Sequence, residues 1–339
     1  MNYPFTDPFG RHITYLRISV TDRCDLRCTY CMGKKMSFLP RDELLNFEEL
    51  STLSKVFIEC GVRKIRLTGG EPLVRADLCA FVQSLTPWLN TDKSKPGLDE
   101  ITLTTNATLL ERYAKPLYQA GIRRINISLD TLRPDRFTAI TRVGKLDNTL
   151  KGIEAALEAG LKIRINTVVL KGLNDDEFDH LIEWCGQNQM DLCLIETMPM
   201  GQVEGNRMDH YLPLAEVKNT LQKSWTLLPT THSTSGPARY MTLLETGQKI
   251  GFITPLSHGF CEACNRVRLS CTGVLYTCLG QENNYDFRTL LRSHASSDEL
   301  KQALFTAIQH KPRGHDFAFD RLNKTTQGQI KRHMNVTGG

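Results

Sequence analysis

The feature that most constrains the fold of this chain is a regular alternation of short β-rich runs with amphipathic helical stretches. Such alternation predicts a parallel sheet whose strands are joined by right-handed helical crossovers. Gly61, Gly121 and Gly160 stand where three of the helices are expected to end. The pattern predicts strands at 15–20, 64–67, 101–104, 124–129, 162–169 and 192–195, and helices at 47–59, 109–119, 148–158 and 176–187.

The alternation lapses from about residue 212, which divides the chain into two regions. We expect an α/β fold with an incomplete (βα)6-type TIM barrel at 1–210 and a C-terminal extension at 211–339. Residues 92–97 are expected to form an exposed connection, and the Ser/Thr/Gly-rich residues 230–237 a linker. Because active sites of βα barrels lie at the carboxyl ends of the strands, the polar segments that follow each strand should meet at one mouth.

Composition and charge exclude several classes of protein. The chain has 339 residues, 40% of them hydrophobic, which suffices for a large core, and no segment is apolar over the length that spans a bilayer. The formal charge of +5 gives no reason to expect nucleic-acid binding. The N-terminal residues do not resemble a signal peptide, so the 11 cysteines are expected in a reducing cytoplasm, as metal ligands or buried thiols.

Basic residues recur at positions predicted to be strand, although such residues normally prefer solvated surfaces. The clusters are Arg63-Lys64-Ile65-Arg66, Arg123-Arg124-Ile125, Lys162-Ile163-Arg164 and Arg266-Val267-Arg268. A small polyanion bound inside the fold would explain them. The alternative is that they are strand-end charges that simply reach solvent.

Three cysteines, Cys24, Cys28 and Cys31, follow the first predicted strand directly. Three thiolates at this spacing are typical of a 4Fe-4S cluster that keeps one iron without a protein ligand. Clusters with four cysteine ligands usually only pass electrons, so an open iron indicates chemistry at the cluster. A zinc site is the main alternative, but it normally requires a fourth protein ligand.

With the aromatic Tyr30 before the third cysteine, this motif resembles that of the radical S-adenosylmethionine superfamily. The glycine-rich run Thr68-Gly69-Gly70-Glu71-Pro72 resembles the same superfamily's segment at the second strand. The resemblance implies that S-adenosylmethionine binds the open iron and is cleaved by one electron to a 5′-deoxyadenosyl radical. It implies a binding site for this cosubstrate at Tyr30, Gly70, Ser128 and Met198.

A second cysteine set, Cys261, Cys264 and Cys278, lies in the C-terminal region. Together with the first set and the terminal Gly338-Gly339, it closely resembles the GTP 3′,8-cyclase family of molybdenum cofactor biosynthesis. The resemblance covers essentially the whole chain and implies a second 4Fe-4S cluster whose open iron meets the guanine of GTP. The positions that it implies for GTP contacts are Arg17, Arg66, Thr104, Arg164, Arg266 and Arg268, with Lys64 a further candidate for the triphosphate.

The reaction implied by this resemblance begins with removal of the 3′ hydrogen of GTP. The C3′ radical then attacks C8 of the purine, and reduction yields a 3′,8-cyclised nucleotide. The resemblance also implies an electron donor such as flavodoxin, cyclic pyranopterin monophosphate synthase as the downstream enzyme, and a homodimer as one possible assembly. The Gly-Gly tail is expected to reach back toward the active site; otherwise it is a frayed terminus.

Several positions depart from the family pattern, among them Gly33 where proline is common and Ala107 where glycine is common. Arg164 stands where the family usually has lysine, and Cys193 where it usually has arginine; Cys193→Arg is therefore expected to lower the apparent KM for GTP. Cys271 is an extra cysteine that could complete a four-thiolate site, although a buried thiol is the favoured interpretation.

Two other functions fit parts of the sequence. One is a different two-cluster radical enzyme, such as one that modifies a peptide. The other is a zinc-binding interaction protein that uses residues 261–278 as a scaffold.

Overall fold

The computed structural model describes residues 5–90, 92–201, 203, 207–234, 236–257, 259–320, 325–327 and 330–338. Its strands are β1 (Tyr15–Ser19), β2 (Lys64–Thr68), β3 (Glu100–Thr105), β4 (Arg124–Ser128), β5 (Lys162–Val168), β6 (Asp191–Ile195), β7 (Leu227–Pro229), β8 (Arg239–Leu243), β9 (Lys249–Ile253), β10 (Arg266–Leu269), β11 (Val274–Tyr276), β12 (Asn284–Asp286), β13 (Ala318–Asp320) and β14 (Thr325–Gln327). Its helices are α1 (Phe47–Glu59), α2 (Leu78–Leu85), α3 (Leu110–Gln119), α4 (Pro134–Thr141), α5 (Leu146–Glu158), α6 (Phe178–Gln187), α7 (Leu214–Leu221), α8 (Phe287–Arg292), α9 (Ser297–Gln309) and α10 (Met334–Thr337).

A single sheet organises the molecule, with the strand order β12-β11-β10-β1-β2-β3-β4-β5-β6-β9-β8-β7. The strands from β10 through β1 to β6 and on to β9 are parallel, and those outside them are antiparallel. The predicted partial barrel is therefore confirmed, and each of its six predicted strands matches the structure to within one residue at either end. Among the described residues, no helix is long and apolar enough to cross a membrane.

Helix α1 forms where the sequence supplies both a cap and an apolar face. Asn46 accepts a hydrogen bond from the Glu49 amide, and the Glu49 carboxylate accepts one from the Asn46 amide, so a capping box starts α1. Leu50, Leu53 and Phe57 are buried along the helix and pack into the core. A short turn then ends the helix before Gly61, whose φ of +115° suits glycine.

The C-terminal region is built into both edges of the barrel sheet. Strand β9 pairs with β6, whereas β10 pairs with β1 at the opposite edge. The described residues of the linker predicted at 230–237 form the connection between β7 and β8, which pair as an antiparallel hairpin. The C-terminal region thus completes the sheet that the N-terminal region begins.

Alternation along the strands sends apolar and cationic side chains to opposite faces of the sheet. In β1, Leu16 and Ile18 are buried in the core cluster shared with the helices. Arg17, between them, lines an internal cavity instead. Register places Arg17 opposite Arg268 on one side and opposite Arg66 on the other, so three guanidinium-bearing residues stand on adjacent strands. The basic strand positions therefore line the interior of the barrel.

Candidate active site

The first cysteine triad lies in the loop that follows β1. Cys24, Cys28 and Cys31 are free, partly buried thiols that line one cavity. The same cavity is lined by all four residues proposed for S-adenosylmethionine: Tyr30 from the cysteine loop, Gly70 after β2, Ser128 at the end of β4, and Met198 after β6.

Glycine at position 70 is required where the end of β2 meets the cysteine loop. The Gly70 amide donates to the Thr21 carbonyl at 2.9 Å, and the Glu71 amide donates to the Arg23 carbonyl at 2.8 Å. A Cβ on Gly70 would overlap the Arg23 carbonyl oxygen. The glycine therefore lets two loops of the first site pack backbone to backbone.

Buried carboxyl groups surround this first triad. Glu71 accepts hydrogen bonds from the Asn106 amide and the Thr105 hydroxyl, both at 2.7 Å, and burial raises its pKa to about 7. The Tyr30 hydroxyl donates to Asp130 at 2.7 Å, and burial raises the pKa of Asp130 to about 6. Sequence reasoning missed Asp130 as a member of the site, because it acts through Tyr30, far from it in the chain.

Burial also raises the pKa of the Cys24 and Cys28 thiols. Neighbouring negative groups add to the effect: Glu71 and Asp25 at Cys24, and the other cysteines and Asp130 at Cys28. Thiols with raised pKa values become ligands only when a bound metal displaces their protons. The three free thiols that line this one cavity therefore fit an iron-sulfur cluster.

The second cysteine triad is assembled around β10 and β11. Cys261 and Cys264 precede β10, and Cys278 follows β11. All three line a second cavity, together with six of the residues proposed to contact GTP: Arg17, Arg66, Thr104, Arg164, Arg266 and Arg268.

Positive charge dominates this second cavity. Arg66 and Arg164 are only 3% and 6% exposed. Within the part of the chain that the structure describes, no carboxylate forms an ion pair with either of them, or with Arg266 or Arg268. The buried Nε of Arg164 has no hydrogen-bond partner. Because buried charge is costly without a counter-charge, this lining fits a polyanionic ligand.

Tyr15 lies among these cations. Its hydroxyl accepts a hydrogen bond from Arg66 Nε, and the Lys64 ammonium lies 5.1 Å from the centre of its ring. Burial alone would raise the pKa of Tyr15, but Arg66, Arg17 and Lys64 outweigh burial and lower it to about 7. No local sequence pattern marks Tyr15 as a member of the site.

The two cavities adjoin each other. Four residues line both of them: Thr104, Asn166, Ile195 and Met198. The C-terminal residues pack at the same place, since Asn335 donates to the Asp22 carbonyl and Arg268 Nη1 donates to the Gly338 carbonyl at 2.5 Å. The tail thus reaches the site, although Gly339 lies outside the described residues.

Comparisons with known proteins agree with this geometry. The family model for the Radical SAM superfamily matches residues 18–185, and that for Molybdenum Cofactor Synthesis C matches residues 190–317. Curated proteins named GTP 3′,8-cyclase from Brucella ovis and Brucella canis are each 53% identical over 336 residues, which is 99% of this chain and 96% of theirs. The chain belongs to the GTP 3′,8-cyclase family.

Solved structures resemble this member of the cyclase family in fold alone. Streptococcus suis SuiB bound to S-adenosylmethionine aligns with a TM-score of 0.61 and 16% identity, covering 97% of this chain and 78% of that one. The same protein bound to the precursor peptide SuiA aligns with a TM-score of 0.58 and 15% identity, with 97% and 77% coverage. These similarities support the partial barrel with a C-terminal extension.

Two positions of this cyclase-family member have surroundings that bear on their predicted roles. Lys64, a candidate for the triphosphate, forms an ion pair with Glu100 at 2.7 Å and donates to the Thr234 carbonyl at 3.0 Å. Cys193 is fully buried, and its Sγ lies 3.2 Å from where a Cβ on Gly251 would stand. An arginine at position 193 would have to displace buried neighbours, which adds a packing cost to the substitution, and the lower KM for GTP expected of Cys193→Arg stays a prediction.

Cys271 lies apart from the second triad. It follows β10, whereas Cys261 and Cys264 precede that strand, and it is fully buried outside the cavity that the triad lines. Burial raises its pKa to about 12. This placement supports a packed thiol, and among the described residues no group of three or more Cys, His, Asp or Glu is arranged to hold a single metal ion.

Proposed function

We propose that this chain is a GTP 3′,8-cyclase. It converts GTP to (8S)-3′,8-cyclo-7,8-dihydroguanosine 5′-triphosphate, the first step of molybdenum cofactor biosynthesis. One observation carries the proposal: two cysteine triads line adjoining cavities, and only the second of these cavities is lined by buried arginines. Full-length identity to curated cyclases supports it.

At the first site, Cys24, Cys28 and Cys31 would hold one 4Fe-4S cluster. When bound, this cluster and S-adenosylmethionine supply the 5′-deoxyadenosyl radical that takes the 3′ hydrogen of GTP. The chain's own contribution is placement: Tyr30, Gly70, Ser128 and Met198 would bind the cosubstrate. Ile195 and Met198, which line both cavities, would exclude water from the space between the ligands.

At the second site, Cys261, Cys264 and Cys278 would hold another 4Fe-4S cluster, which would supply an open iron for the guanine base. Arg17, Arg66, Arg164, Arg266, Arg268 and Thr104 would bind the rest of GTP. Guanidinium groups suit this task because they match phosphate geometry and keep their charge when buried. In this scheme, residues 1–210 carry the radical-generating site, and residues 211–339 contribute most of the residues that line the second site.

The remaining assignments concern the substrate of the enzyme, its location, its electron donor, its downstream enzyme and its assembly. The family supports GTP as the substrate. We further propose a cytoplasmic enzyme, reduced by a donor such as flavodoxin, whose product passes to cyclic pyranopterin monophosphate synthase. A homodimer is the assembly that we would test first by light scattering.

The deciding experiment is anaerobic incubation of the reconstituted protein with S-adenosylmethionine, dithionite and GTP. We expect about eight irons per chain, since each cluster holds four, together with GTP-dependent 5′-deoxyadenosine and a cyclised product. About four irons together with zinc would instead indicate the scaffold protein. Formation of 5′-deoxyadenosine that GTP does not affect, with no cyclised nucleotide, would contradict the proposal.

A further inference from the structure

A buried lysine lies against the second cysteine triad. Lys311 follows α9 and is only 3% exposed. Its Nζ lies 2.5 Å from the Thr277 carbonyl oxygen, 3.0 Å from the Arg266 carbonyl oxygen and 3.7 Å from Cys264 Sγ. An ammonium group has three N–H donors and no acceptor. The three acceptors therefore match the protonated side chain, and one of them is a cysteine sulfur.

Among the described residues, the positive charge of Lys311 has no carboxylate partner. Within the described part of the chain, no ion pair includes this lysine, whereas Lys301 on α9 pairs with Glu59 at 2.9 Å. The neighbouring Arg266 also approaches the same sulfur, with Nη2 at 3.8 Å from Cys264 Sγ. The nearest compensating charge would thus be a thiolate at Cys264.

Contacts on the next residues keep Lys311 in this position. Arg11 donates to the carbonyl oxygens of Pro312 at 2.6 Å and of Arg313 at 2.7 Å, and also to that of Cys261 at 2.7 Å. Arg11 is itself paired with the buried Asp7 at 2.6 Å. One side chain therefore ties the segment after α9 to the loop that carries the cysteines.

In the first triad, the Cys24 sulfur has different partners, although Arg27 Nη1 donates to the Cys24 carbonyl at 2.5 Å. Cys24 Sγ accepts from neutral donors, the Leu26 amide at 3.4 Å and Asn106 Nδ2 at 3.9 Å. Asp25 Oδ1 lies 3.8 Å from the same sulfur. Positive charge stabilises the reduced form of a cluster, which is more negative than the oxidised form, and hydrogen bonds to the sulfurs act in the same direction.

We propose that Lys311 is a positioning residue of the second cluster: through its hydrogen bond to Cys264 and its buried charge, it raises the reduction potential of that cluster above that of the first. This inference rests on the proposed function, because it requires a cluster at Cys261, Cys264 and Cys278. It assigns to Lys311 a role in tuning the cluster that is distinct from contact with GTP.

The test compares Lys311→Met with Lys301→Met, the same substitution on the surface of α9. Iron is counted after anaerobic reconstitution, and both midpoint potentials are measured by redox titration followed by electron paramagnetic resonance. Signals are assigned with a full-length chain in which alanine replaces Cys24, Cys28 and Cys31. We expect Lys311→Met to shift only the second cluster to lower potential, while Lys301→Met shifts neither.

If the midpoint potential of the second cluster is unchanged in Lys311→Met at full iron content, the role assigned to Lys311 is overturned and the proposed function is not. If Lys311→Met loses half of its iron, Lys311→Gln and Lys311→Arg replace it in the titration. A lower potential in the glutamine variant than in the arginine variant would support the role of charge, and equal potentials would refute it. Wild-type protein that binds only about four irons would overturn the proposed function and this inference with it.

Discussion

Tyr15 shows how single residues adjust to a cationic interior. Its phenol, 3% exposed, is the acidic partner of Arg66 in a cavity rich in arginine. With a pKa of about 7, part of the population carries a phenolate near neutral pH. This negative charge offsets some of the repulsion among the guanidinium groups before any ligand binds.

The Tyr15→Phe substitution should remove a pH dependence from the stability of the cluster-free protein. Because folding lowers the pKa of Tyr15 from 10.0 to about 7, the stabilisation is fully present above the unfolded value and is lost as pH falls through about 7. The Tm of wild-type protein relative to the variant should therefore rise between about pH 6.5 and pH 9.5. Curves of Tm against pH that run parallel for the wild-type protein and the Tyr15→Phe variant would refute this. Tyr118→Phe, at an exposed tyrosine, is the control.

Arg66 is the residue at which the proposed phosphate contacts can be tested most directly. Charge-assisted hydrogen bonds contribute roughly 1.5–3 kcal/mol, so Arg66→Met should raise the apparent KM for GTP about 10- to 100-fold. Steady-state formation of cyclised product measures this. Arg63→Met is the matched control, because Arg63 pairs with Asp99 at 2.6 Å outside both cavities. Equal KM values for the two variants would exclude the proposed contact.

At the scale of elements, the C-terminal tail is held by close packing. Helix α10 packs against β1, and the next residue, Gly338, has a φ of +73°. A Cβ on Gly338 would overlap the Thr68 hydroxyl at the end of β2. Only glycine therefore satisfies both the backbone conformation and the available space.

Gly338→Ala should release the tail from the site. Steric overlap and an unfavourable φ together should cost about 1–3 kcal/mol, with a lower Tm, faster proteolysis after Lys331 or Arg332 and a loss of cyclase activity. Gly172→Ala separates strain from overlap, because Gly172 has the same φ of +73° with nothing within 4 Å of its Cβ position. If both variants behave alike, backbone strain alone explains the effect.

Sequence predicts the elements whose signals are local. Strands β1 to β6 were located because each is an apolar run bounded by turn residues, and α1 because its apolar spacing follows a clear cap. The places of β9 beside β6 and of β10 beside β1 could not be inferred, since they depend on pairing between distant segments. At the site, cysteine spacing identified both triads, whereas Tyr15 and Lys311 carry no local pattern.

At the scale of the whole molecule, the sheet joins the two regions of the chain. Strand β1 pairs with β10 as well as with β2, and β6 pairs with β9 as well as with β5. Without the C-terminal region, β1 and β6 would become sheet edges with unpaired backbone groups. Exposed apolar edges of this kind promote aggregation.

A chain truncated after residue 210 should therefore fail to fold as a stable monomer, although it retains the first triad. We expect aggregation or a low, broad thermal transition, measured by size-exclusion chromatography and circular dichroism. The full-length chain in which alanine replaces Cys261, Cys264 and Cys278 is the control, since it lacks the second set of thiols but keeps β9 and β10. A monomeric, cooperatively unfolding truncation would show that the N-terminal region is an independent domain.

The wall shared by the two cavities has a consequence for how ligands bind. Thr104, Asn166, Ile195 and Met198 face both spaces, so any adjustment that one ligand imposes on them alters the surface offered to the other. The two binding free energies are then coupled, and thermodynamic linkage makes the coupling reciprocal. The factor by which S-adenosylmethionine changes the Kd of GTP must equal the factor by which GTP changes the Kd of S-adenosylmethionine.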